Sequence, residues 1–104
     1  MAKAEIHSGK CGFTTTVEAV MNADERVNVS ITSQCKGCQK LGAALTEVDP
    51  LREITYRGGG PQVLEMASQY LVHPACPVPA GIIKTVEVAA GLALPADASI
   101  KLSA

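Results

Sequence analysis

The sequence predicts an α+β fold: an antiparallel sheet of three to four strands with helices packed on one face. Three observations carry this. Residues 13–33 alternate apolar and polar in two runs rich in Val, Ile and Thr, the pattern of half-buried strands joined in a hairpin. After Cys38 the apolar period lengthens from two to that of an α-helix, and it stays helical through most of the rest of the chain. At 104 residues the chain is one domain with a single modest core.

The elements follow in order. Lys3 to Ser8 is a short alternating segment with Ile6 as its one strong apolar residue, an edge strand. Ser8-Gly9-Lys10 is a turn, and Cys11-Gly12 follows. From Phe13 to Met21, Phe13, Thr15, Val17, Ala19 and Met21 share one face, opposite Thr14, Thr16, Glu18 and Val20. Asn22 to Glu25 is a turn, and Arg26 to Ser33 returns with Val27, Val29 and Ile31 on one side. This antiparallel hairpin brings the start of its first strand, near Cys11, across from the end of its second, near Cys35.

Beyond Cys38, Leu41, Ala44, Leu45 and Val48 fit one helical face, which Asp49-Pro50 ends. Pro50 suits the first turn of a second short helix reaching Ile54 or Tyr56. Arg57-Gly58-Gly59-Gly60 breaks the chain. Pro61 opens a helix whose stripe is Val63, Leu64, Ala67, Tyr70 and Leu71. His73 to Pro79 is a proline-stiffened loop. The last long helix follows, with Ile82, Ile83, Val86, Ala89, Ala90 and Ala93 inward and Pro95 as its stop. Ser99 to Leu102 reads as a final short strand that could pair with the first segment.

Composition bounds the function. Apolar residues make up 47% of the chain but aromatics only 3%, so the core must be aliphatic, with Phe13, Tyr56 and Tyr70 the only large rings. A net charge of −1 offers no basic field for nucleic acid or an anionic membrane surface. No apolar run approaches the roughly 20 residues a membrane helix needs. The N-terminus lacks the apolar stretch of a signal peptide, so the expected location is the cytoplasm. Thiols stay reduced there, and grouped cysteines are then more often ligands or catalysts than structural disulfides.

The chemistry centres on Cys35-Lys36-Gly37-Cys38. Gly37 tolerates positive φ and would ease a turn between the two sulfurs. A helix that begins here favours thiolate through its dipole and free N–H groups. Cys11 and Cys76 stand at similar element junctions, and the expectation is that all four cysteines converge, with His73 close by. A tetrathiolate site needs four sulfurs about 2.3 Å from one metal. Four thiolate charges also need a cation or cluster to offset their repulsion. Zinc or an iron–sulfur cluster is therefore the expected cofactor. The expected partners are the metal or cluster and proteins that donate or accept it.

The bland reading makes Cys11 and Cys76 small buried hydrophobes. In a second functional reading Cys35 attacks disulfides and Cys38 resolves the product. In a third the chain is a structural interaction module. His7 reads as a surface residue. Gly58-Gly59-Gly60 lacks the Lys-Ser/Thr of a phosphate loop and reads as a hinge or helix-start turn. Glu47, Asp49, Glu53 and Glu65 form no motif and read as solvated surface. No Ser-His-Asp arrangement is present to suggest an enzyme.

The order of these motifs resembles the U-type iron–sulfur scaffold proteins, the family of the N-terminal NifU domain. Cys11-Gly12 stands at the start of an antiparallel strand, Cys35 follows the returning strand, and Cys76, with His73 nearby, precedes the last amphipathic helix. The resemblance spans residues 10–93. It implies a scaffold-like α+β fold and a cluster held by those cysteines. Phe13 stands where that family has Asp, Pro74 and Ala75 separate His73 from Cys76, and Cys38 is an additional thiol. The chain also looks like a small prokaryotic family marked by Cys11-Gly12-Phe13 and His73-Pro74-Ala75-Cys76-Pro77-Val78-Pro79, a resemblance that implies no activity.

Overall fold

In the computed structural model, which describes residues 1–104, three strands come first and the helices follow, with a fourth strand between the first two helices. Strands β1 (Ala2–His7), β2 (Thr14–Met21) and β3 (Val27–Thr32) form an antiparallel meander. A two-residue β4 (Glu47–Val48) pairs with β3 and completes the order β1-β2-β3-β4. The helices are α1 (Lys36–Ala44), α2 (Pro50–Glu53), α3 (Gln62–Tyr70) and α4 (Val78–Ala89). None is long and apolar enough to cross a membrane.

Period-two alternation decides which face is covered. Ile6, Thr15, Val17, Ala19, Val27, Val29 and Val48 are buried, while Glu5, Glu18, Asn28 and Ser30 are exposed. Helix α4 lies on β1 and β2, and α1 lies on β3, with α2 and α3 against their neighbouring helices. The predicted α+β class, a four-stranded antiparallel sheet with helices on one face, is what the chain adopts. The core is a single aliphatic cluster completed by Cys38 and contains no ring. Tyr56 is 83% exposed, so one of the three aromatics takes no part in the core. The hairpin turns where Asn22 Oδ1 accepts the N–H groups of Asp24 (2.9 Å) and Arg26 (3.1 Å), an Asx-type closure.

Four expectations need correction. Helix α1 stops at Ala44, because Leu45 is already extended and Thr46 accepts the Val29 N–H at 2.9 Å. Val48 is thus buried from a strand and Ala44 is exposed, although both fitted the helical face. Met21 stays paired with Val27 in β2 and is only uncovered at the strand end, whereas α4 ends at Ala89, short of the expected stop at Pro95. Ser99–Leu102 forms no strand. Gly91, at φ +73°, closes α4 with N–H bonds from Gly91 to Val88 O (3.1 Å) and from Leu92 to Glu87 O (2.8 Å). The tail beyond carries only Ile100 and Leu102 as apolar residues in the expected strand, too little area to offset ordering it.

The fourth correction is Glu53, which is buried at 1% exposure. Pro61 is the N-cap of α3 and offers no side-chain acceptor. Glu53 supplies it from α2: Oε2 accepts the Gln62 N–H at 3.0 Å and Oε1 the Val63 N–H at 2.8 Å. The other three carboxylates are also in use. Asp49 caps α2 at Leu51 N–H (3.0 Å), Glu47 pairs with Arg26 (2.7 Å) and Glu65 with Arg52 (2.9 Å). Gly58, Gly59 and Gly60 all have positive φ and make the tight turn that leads into α3.

Candidate functional site: a thiol pair at the start of α1

Past Thr32 the chain bends at Gln34 and reaches Cys35, the extended N-cap of α1 (φ −72°, ψ 123°). Cys38 falls three positions later, on the first turn, and points into the core at 1% exposure. Cys35 makes no side-chain capping hydrogen bond, but its thiol stands at the helix start, where the free N–H groups are. The Cys38 backbone N–H is the main influence holding the Cys35 thiol below its ordinary value. Partial burial opposes it, and the Cys38 thiol and the Gly37 N–H add to the lowering. Cys38 goes the other way. Burial, then the Cys35 thiol and the charges of Cys35 and Cys76, push it up to about 11, with the Thr15 hydroxyl pulling down. Two thiols three positions apart at one helix start are thus divided into one that ionises more easily and one that keeps its proton.

Two hydroxyls complete the surroundings. The Cys35 N–H donates to Ser33 Oγ at 3.1 Å, and Ser33 Oγ lies 2.8 Å from Thr15 Oγ1. Gln39 Nε2 donates to the Ser33 carbonyl at 2.8 Å and ties the entry strand to the helix. Sequence reasoning did not single out Thr15 or Ser33. The signal was available in the hairpin: pairing Thr16 with Thr32 continues one step to Thr15 opposite Ser33.

Gly37 serves a different purpose from the one its composition suggests. Its φ is not positive, and it sits inside α1. A Cβ there would stand 2.8 Å from the Tyr70 carbonyl oxygen and 3.1 Å from Leu71 Cδ2. The glycine is needed for close approach between the start of α1 and the end of α3.

The remaining expected site residues are spread out. Cys76, in the α3–α4 loop, is half-buried against the core, its N–H 3.2 Å from the His73 carbonyl, and its charge reaches Cys38. His73 is exposed and lines a shallow groove with Leu71, Val72 and Pro79. Cys11 is exposed on a 3₁₀ turn (Gly9–Cys11) and packs against nothing in the core. The hairpin does bring the start of β2 opposite the end of β3, but Cys11 lies outside that pairing. His7 is on the surface with Nδ1 3.2 Å from Thr14 Oγ1. All four cysteines are free thiols. Cys35 and Cys38 share the start of α1 and the charge of Cys76 bears on Cys38; the four do not meet at one point, and no three His, Cys, Asp or Glu side chains are grouped so as to hold a metal ion.

No curated protein and no solved structure matches the chain. One family profile does, over residues 2–102, and so takes in the whole sheet, the thiol pair, the Cys76 loop and α4. The chain therefore belongs to DUF6951, a family of unknown function.

Proposed function

We propose that the chain is a dithiol redox protein in which Cys35 attacks disulfides and Cys38 resolves the product. The observation that carries this reading is the division of the pair: Cys35 at the N-cap of α1, part-exposed and held below its ordinary value, and Cys38 three positions on, buried and pushed up to about 11. Thiolate is the attacking form, and a helix N-terminus is where it is favoured. In the first step the Cys35 thiolate bonds to one sulfur of a partner disulfide, and the other sulfur leaves as thiolate. In the second, Cys38 loses its proton and attacks Cys35 Sγ. The Cys35–partner bond breaks, and its electron pair leaves on the partner's second sulfur. The partner disulfide gains two electrons and two protons, the pair becomes a disulfide, and a thiol reductant restores it.

The fitting partner is a small or protein disulfide, and a reducing cytoplasm is the compartment that would regenerate the pair. Zinc or an iron–sulfur cluster remains the competing reading, with Cys76 beside Cys38 as the observation in its favour.

Alkylation against pH, with each thiol located by mass spectrometry, tests the proposal. Cys35 should reach its half-maximal rate at lower pH than exposed Cys11, because its thiolate is the stabilised form. Oxidation by glutathione disulfide should give a Cys35–Cys38 bond. Equal profiles for Cys35 and Cys11, or an oxidised protein lacking that bond, would refute it. Protein prepared without oxygen that retains metal, and whose pair becomes reactive only after chelation, would decide for the metal site.

A further inference from the structure

The sheet has one long edge that nothing covers. In the order β1-β2-β3-β4, β1 pairs on one side only, and the opposite edge is closed by a β4 of two residues. β1 runs for six residues with no proline, and its register on β2 is unbroken. An edge of this kind presents a row of unpaired N–H and C=O groups, a template for another strand.

The ladder decides which groups face outward. The register of β1 on β2 runs from Ala2 opposite Ala19 to His7 opposite Thr14. One step on, the Ser8 N–H donates to the Phe13 carbonyl at 3.0 Å. Bonding to a given neighbour alternates along an antiparallel strand. Ile6, Ala4 and Ala2 therefore bond to β2, and the backbone groups of Lys3, Glu5 and His7 point to the open edge. The side chains of Lys3, Glu5 and His7 share the exposed face, while Ala2 and Ile6 are buried and Ala4 is half-buried on the face that α4 covers. Neither Lys3 nor Glu5 is held in an ion pair within the chain.

A second copy of the chain fits this edge. A two-fold axis makes two copies of one strand antiparallel neighbours, with the same patch on each side. Outward-facing residues must then meet outward-facing residues. Three registers keep both Lys3 and Glu5 in the pairing, with the axis at Lys3, at Ala4 or at Glu5. With the axis at Lys3, the lysine meets its own copy. With the axis at Glu5, the glutamate meets its own copy and Lys3 meets His7. With the axis at Ala4, Lys3 stands opposite Glu5 of the second copy, and Glu5 opposite its Lys3. Opposite charges directly across a strand pair stabilise it and like charges destabilise it, so only this last register is favoured. The residue on the axis is alanine, small enough for the close approach of a pair that shares no hydrogen bonds. A lone edge lysine blocks pairing; here Glu5, two residues on, answers it.

We propose that the chain forms a two-fold dimer through antiparallel pairing of β1 with β1 of a second copy, centred on Ala4. The two sheets become one of eight strands, and the two-residue β4 at each far end closes the assembly at two copies. β2 separates β1 from β3, on which α1 lies, so the dimer does not depend on the chemistry of the thiol pair.

Sedimentation equilibrium on the full chain without an N-terminal tag, over a wide concentration range, tests the proposal. A pair of six-residue strands is a small interface, so the mass should rise from one chain to two with concentration. Glu5→Lys sets like charges opposite one another twice and should raise the dimer dissociation constant about tenfold or more. Lys3→Glu should do the same, although Lys3 also stands opposite Glu18 in its own sheet, which makes Glu5→Lys, opposite Thr16, the cleaner change. The double variant Lys3→Glu/Glu5→Lys should bring the constant back towards that of the wild type. Glu5→Pro removes an N–H that faces the open edge, a place where a strand tolerates proline. It should keep the circular dichroism spectrum and lose the dimer. Truncation after Leu92 should leave the dimer intact. A wild-type chain that stays monomeric throughout overturns the proposal. So do Glu5→Lys or Glu5→Pro variants that dimerise like the wild type, or a double variant no tighter than the single ones. Loss of the dimer on truncation would put the tail at the interface in place of β1, and overturns it as well.

Discussion

Replacing Gly37 by alanine tests how the site is assembled. The added Cβ would sit 2.8 Å from the Tyr70 carbonyl oxygen, where ordinary contact begins at 3.4 Å, so about 0.6 Å of separation must be found. The obstacle is backbone at the end of α3, which cannot rotate away. Overpacking of this kind costs about 1–3 kcal/mol, and a backbone obstacle belongs in the upper half of that range. Alanine returns about 1 kcal/mol through helix propensity. The net expectation is a loss of about 1–2 kcal/mol, a fall of roughly 5–15 °C in Tm for a domain of this size. Urea unfolding and calorimetry measure it. Gly37→Asn separates the two possible reasons for the glycine. Asparagine tolerates positive φ better than alanine but is larger, so close approach makes it the worse substitution, whereas a left-handed turn would make it the better one. An alanine variant as stable as wild type, or an asparagine variant more stable than the alanine one, would refute the packing argument.

Two further outcomes follow from the helix ends. Glu53→Gln keeps one acceptor oxygen but turns an N–H donor toward a helix start, so it should destabilise by about 1–3 kcal/mol; Glu53→Ala should cost at least as much, because two buried N–H groups lose their partners, and chemical denaturation reads both. Truncation after Leu92 removes a tail that pairs with nothing in the sheet, so the unfolding midpoint should stay within the scatter of surface substitutions, about 0.5 kcal/mol; a larger loss would mean that the tail does add a strand.

Much of the architecture was legible because period-two alternation has one solution in a sheet with a covered face. Val17, Ala19, Val27 and Val29 could point only one way once Glu18 and Asn28 pointed the other. The misreadings share a cause. Leu41, Ala44, Leu45 and Val48 satisfy a helical period, yet Val48 satisfies a strand equally well, and its choice depends on a β3 edge more than a dozen residues upstream. Glu53 is an acidic residue in a short segment that reads as surface, and nothing local shows that its side chain is needed at the start of α3, where Pro61 offers no acceptor. The thiol pair was legible from spacing and the change of period. What was not legible was depth: Cys38 is buried and Cys11 exposed because of where α1 docks and where the β1–β2 turn projects, both matters of long-range packing.

Thr15 in an apolar row, Gly37 inside a helix and Glu53 in the core are three of the residues that depart from what their elements would choose for stability alone; Gly42, Gly81 and Thr85 are others. Departures of this kind collect at functional or strained places. Glu53 is accounted for by the end of α3, whose N–H groups it satisfies. Thr15 and Gly37 border the thiol pair. Gly37 lets α1 begin hard against α3, which buries Cys38 while leaving Cys35 at the helix start. Thr15 puts a hydroxyl where a methyl would pack as well, and that hydroxyl lies 2.8 Å from Ser33 Oγ, which also accepts the Cys35 N–H. Close packing at the start of α1 buries one sulfur and leaves the other at the helix start, which is why two thiols three positions apart differ so much in depth.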